Sequence, residues 1–155
     1  MNEEDYVRVP YPSERYFKFL VLRHGFKGPF VRQAGHGHQV SYVNGLIVIN
    51  LSCSGGCQGY ITKLRRSYPR LESGEQYLSD VEYRDQYSKN LLSLLSKTEY
   101  REYCLYSYCR SSEAELSFLS QLVKLNPEIL LGDWRKFSAW FRIKQAIRRR
   151  CRRLI

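Results

Sequence analysis

The sequence has no long hydrophobic run. Its uninterrupted apolar stretches reach four residues, as in Leu46 to Ile49, where a membrane-crossing helix needs about 18–20. A transmembrane helix is therefore excluded. The opening Met-Asn-Glu-Glu-Asp-Tyr is acidic and lacks the basic-then-apolar order of a secretory signal. The expected location is the cytoplasm, with the nucleus as a second compartment, and not secretion. Also missing are a phosphate-cradling glycine motif, a helical His-Glu-x-x-His and a convincing pair of catalytic acids. Cys53 or Cys57 beside His36 or His38 can be drawn as a thiol nucleophile with its base. A glycine loop between strands offers nothing obvious to lower the thiol pKa, so the expectation is a protein that is not an enzyme. There is no internal repeat and no low-complexity tract beyond a run of arginines.

Acidic residues are scarce as well, 15 against 25 lysines and arginines, for a formal charge of +10. The excess is local. Residues 133–155 hold Arg135, Lys136, Arg142, Lys144, Arg148, Arg149, Arg150, Arg152 and Arg153 against the single acid Asp133, a net +8 that leaves +2 for residues 1–132. Trp140, Ile143, Ile147, Cys151 and Leu154 recur at helical spacing, and Trp134, Phe137 and Phe141 widen the stripe. This predicts a basic amphipathic helix over 133–155 with Asp133 as its N-cap. Neutralising phosphates releases counterions, so RNA or another polyanion is one expected partner of those nine basic residues. An anionic membrane surface is the other, because a Lys/Arg face opposite a Trp/Phe/Leu face is also the form of an interfacial anchor. An arginine-rich nuclear address and a plain solvated helix are further readings of the same pattern.

With 155 residues, 43% of them apolar, the chain has material for one core, so a single compact domain is expected over 1–132. Alternation from Arg15 to Arg23 predicts a strand. The glycines, Pro29, His36 and His38 between Gly25 and Gly37 predict an irregular loop. Asn44-Gly45 between Val40–Val43 and Leu46–Leu51 is a strong hairpin signal. A strand follows the cysteine loop from Gln58 to Leu64, and a long helix is expected from Glu75 to Ser96. Thr98 to Cys109 suits strand and helix alike. Ser112-x-x-Glu115 forms a capping-box pattern for a helix to about Leu125, which Asn126-Pro127 ends, and Gly132 closes a short turn. The predicted class is α+β: a small antiparallel sheet with a central hairpin, followed by helices and the basic C-terminal helix.

Five cysteines are present. Zinc takes four ligands in a tetrahedron, usually as two close pairs. Cys53 with Cys57 on the glycine loop is one candidate pair and Cys104 with Cys109 the second, with His36 or His38 able to replace a cysteine. Plain burial of the thiols competes with zinc, and a disulfide stands behind both in a reducing compartment. Cys151 falls on the apolar stripe and suits packing, and His24 suits a surface or satisfied core position.

From Ile47-Val48-Ile49-Asn50-Leu51-Ser52-Cys53-Ser54-Gly55-Gly56-Cys57 into Gln58-Gly59-Tyr60-Ile61-Thr62, and again at Cys109-Arg110-Ser111, the chain resembles the small zinc-binding proteins encoded by the first reading frame of sobemoviruses, a group of plant RNA viruses. Those proteins use Cys-x-x-Cys, whereas the gaps here are three and four. The resemblance implies structural zinc on Cys53, Cys57, Cys104 and Cys109. It also implies suppression of host RNA silencing and support of viral movement between cells, with a host defence protein of unknown identity as a further partner.

Overall fold

The computed structural model describes residues 12–34, 36–64, 88–106 and 110–137. Helix α1 (Pro12–His24) leads into β1 (Lys27–Ala34), β2 (Gly37–Val43), β3 (Ile47–Cys53) and β4 (Cys57–Lys63). After β5 (Ser88–Asn90) and a 3-10 turn (Leu91–Leu94) come α2 (Lys97–Leu105), α3 (Ser112–Leu125) and a second 3-10 turn (Pro127–Leu131). The strands form one antiparallel meander in the order β1-β2-β3-β4-β5. This is the α+β class that the patterning predicts.

The central hairpin falls where Asn44-Gly45 places it, with Val43 opposite Val48. The positive φ is carried by Gly45 alone, at 84°. Asn44 contributes through its side chain, whose Oδ1 accepts the backbone N–H groups of Leu46 at 3.1 Å and Ile47 at 2.9 Å, an Asx-type turn. Val40, Tyr42, Ile47, Ile49, Leu51 and Ile61 share one sheet face and form the core with Phe17 and Leu20 of α1 and Leu116, Leu119 and Val123 of α3. The alternate positions Ser41, Val48, Asn50 and Thr62 are buried too, so the central strands are enclosed on both faces.

Four expectations are corrected. Arg15–Arg23 is helical, because Ser13, Phe17 and Leu20, at i, i+4 and i+7, form the buried stripe; Phe17 stacks on Tyr42 at 6.1 Å. The glycine-rich stretch after it is the edge strand β1, where a register shift between Lys27 and Phe30 accommodates Pro29. Of the helix expected over 75–96, residues 88–94 form β5 and a 3-10 turn, fixed by Thr62 against Ser88 at 2.6 Å and by Asn90 capping Leu92 at 2.9 Å; residues 75–87 lie outside the described residues. The N-cap of α3 is Ser111, which accepts from Ala114, in place of Ser112. The ambiguous stretch after Lys97 begins as helix α2, with a capping box between Ser96 and Glu99.

Ser120 Oγ donates to the Tyr16 carbonyl at 2.7 Å, and one turn on the Lys124 ammonium lies 5.1 Å from the Phe19 ring centre. Thus α1 and α3 run in parallel. The N-terminus of α3 meets the β3-β4 loop, and its C-terminus meets the opposite end of the sheet, where Lys63 Nζ donates to the Gly132 carbonyl at 3.4 Å. The molecule therefore has a cysteine end and a far end.

Candidate functional site

At the cysteine end, Cys53 and Cys57 are register partners across β3 and β4 with Cα atoms 4.2 Å apart, and their sulfurs are joined in a disulfide. This is the reading that reducing-compartment chemistry placed behind zinc and burial. Ser54-Gly55-Gly56 closes the loop, with Gly55 at φ 68°. His38 on β2 is the register partner of Cys53, and His36 is exposed in the β1-β2 turn. Gly37 permits this closeness: a Cβ there would lie 2.1 Å from the Cys53 carbonyl oxygen.

The capping-box pattern gives Glu115 a local role at the start of α3, but its side chain reaches across to the cysteine hairpin. Its buried carboxylate accepts the backbone N–H of Cys57, 58 residues away, and lies against Gly56. A carboxylate on the first turn of α3 is favoured by the helix dipole, and here it also latches the cysteine hairpin to the helix. Beside it the Arg110 guanidinium lies 4.1 Å from the Tyr103 ring centre and 5.2 Å from that of Phe118, a cation–π clasp between α2 and α3. Burial pushes the Tyr103 phenol above its ordinary pKa, and the nearby Glu115 charge adds to the shift while Arg110 opposes it.

Of the expected zinc ligands, Cys53 and Cys57 are bonded to each other. A bonded pair of sulfurs offers no thiolate, the form that ligates zinc, Cys104 is half-buried on α2, and Cys109 lies outside the described residues. Among the described residues no group of three or more His, Cys, Asp or Glu is placed to hold a metal ion.

At the far end the basic segment begins. Asp133–Phe137 form turns in place of the expected first helical turn, because two members of the apolar stripe belong to the domain. Phe137 is buried in the core at 8% exposure, and Trp134 packs on it edge to face at 5.6 Å while donating from Nε1 to the Ile129 carbonyl at 3.2 Å. Asp133 accepts the Arg135 backbone N–H at 3.2 Å and takes its guanidinium with two oxygens, Nε at 2.9 Å and Nη2 at 2.6 Å. That bidentate hydrogen bonding lowers the Asp133 carboxyl to about 2. Lys136 pairs with Glu128, which holds that carboxyl below its usual range. Both pairs are exposed and contribute little to stability, but they place an acid beside each of the first two basic residues. Arg142, Lys144, Arg148, Arg149, Arg150, Arg152 and Arg153 lie outside the described residues.

Comparison with protein-family models, curated proteins and solved structures returned no match. The functional reading rests on the chain's own chemistry.

Proposed function

We propose that this chain is a non-enzymatic accessory protein that binds RNA through its basic segment, residues 133–155. The observation that carries this reading is the charge distribution: nine basic residues against one acid are appended to a domain of net +2. Eight net positive charges in so short a segment repel one another unless a polyanion screens them. Since Asp133 and Glu128 neutralise Arg135 and Lys136, the seven basic residues from Arg142 to Arg153 supply the phosphate contacts. Trp134 and Phe137 are occupied in the domain and anchor the segment instead of stacking on bases. By the resemblance to the sobemovirus first-frame proteins, the biological role is suppression of host RNA silencing and support of viral movement.

An RNA gel shift across a salt series, with the full chain and with residues 138–155 deleted, tests the assignment. Loss of binding on deletion is expected; binding unchanged by the deletion overturns it. Zinc, if it belongs to the native protein, belongs to a reduced form of the Cys53–Cys57 pair. Metal analysis of protein purified under reducing conditions without added metal decides this: zinc near one equivalent supports the metal, and a metal-free folded preparation removes it.

A further inference from the structure

The far end of the molecule carries an unusual surface. Leu22 is 70% exposed, Leu46 62%, Leu125 73% and Leu131 84%. Leu22 and Leu125 lie near the ends of the two parallel helices. Leu46 is in the β2-β3 turn, its carbonyl accepting the Leu64 N–H at 2.7 Å, and Leu131 ends the 3-10 turn beside Gly132, which receives Lys63. Buried side chains on the same elements show that the chain has core positions to offer, yet these four leucines point outward.

Around them stand exposed cations, Arg23 and Lys27 at the α1-β1 junction, Lys63 at the end of β4 and Lys124 on α3. Among the described residues of this end, the acids Glu128 and Asp133 are paired with Lys136 and Arg135. Leucines at element tips beside cations, with the described acids Glu128 and Asp133 paired, match the interface of an anionic bilayer: aliphatic tips enter the boundary between headgroups and acyl chains while ammonium and guanidinium groups meet lipid phosphates and carboxylates. RNA gains from cations and from aromatic stacking, to which aliphatic leucine adds nothing. No helix among the described residues is long and apolar enough to cross a membrane, so the contact is with the surface.

We infer that this end of the domain docks on anionic phospholipid bilayers, through residues other than the basic run 142–153 to which the RNA contacts are assigned. The test is co-sedimentation of the full chain with phosphatidylserine/phosphatidylcholine vesicles and with phosphatidylcholine alone, beside an RNA gel shift. The probe is the triple variant Leu22→Ser/Leu125→Ser/Leu131→Ser, with Leu46→Ser as a second, independent variant. All four side chains are exposed, so melting temperatures should match the parent. Binding to the acidic vesicles and not to the neutral ones is expected. It should fall about tenfold or more in the triple variant and a few-fold in Leu46→Ser, from the aliphatic surface removed, with RNA affinity unchanged. Indifference of the parent to phosphatidylserine, vesicle binding unchanged in both variants, or an equal loss of RNA binding each overturns the inference. RNA binding that fails while the vesicle result stands refutes the RNA assignment alone.

Discussion

Replacing Glu115 is the sharpest structural perturbation available. Its carboxylate accepts the Cys57 N–H at a position where Cys57 is 4% and Glu115 9% exposed. In Glu115→Ala that N–H loses an ionised acceptor and stays buried, which costs about 2–3 kcal/mol from the lost charge-assisted bond and the unsatisfied donor together. Glu115→Gln keeps an oxygen of the same reach and gives up the charge, so its cost should be about 1 kcal/mol or less. Urea unfolding at neutral pH measures both. The Cys57 amide provides a local readout, since a loss of about 2 kcal/mol corresponds to roughly 30-fold faster hydrogen exchange at that one position. An Ala variant within about 0.5 kcal/mol of the parent, or Cys57 exchange unchanged, would refute the idea that α3 latches the cysteine hairpin through this side chain.

Phe137→Ala should destabilise the fold by about 3 kcal/mol, as large-to-small changes in a core do; a melt within about a degree of the parent would show that the basic segment is not anchored there. Burial pushes the Tyr42 phenol well above its ordinary value of about 10, with Glu14 adding to the shift and Ser13 opposing it. Because the folded state then holds the proton more tightly than the unfolded one, this contribution is complete below about pH 10 and is lost as pH rises further. Tyr42→Phe should flatten the alkaline limb of the stability profile, and identical limbs in both proteins would contradict the assignment.

The parts legible in the sequence are those with local causes. Asn44-Gly45 marks its hairpin because one glycine and one Asx side chain make the turn on their own. The stop at Asn126-Pro127 and the left-handed Gly132 are equally local. What failed depended on distant partners. Phe17, Phe19 and Val21 alternate as in a strand, and the choice of helix is made by contacts to Tyr42 and Ser120. The strand β1 was hidden by Gly28 and Pro29 within it, which an edge position tolerates, and β5 exists through its pairing with Thr62 and its neighbours. The cysteine loop was found from spacing, but the disulfide that closes it depends on the β3-β4 register. The Glu115 latch spans 58 residues, and nothing in the local pattern announces it.

The central claim, that phosphate contacts reside in the arginine run, is tested most directly by the salt dependence of single-stranded RNA binding. The variant replaces Arg148, Arg149, Arg150, Arg152 and Arg153 with Gln in the full chain. Each lost phosphate contact reduces the slope of log K against log salt by about 0.7, so removing all five should flatten it by about 3.5. A slope that does not change would place the RNA contacts elsewhere and contradict the claim.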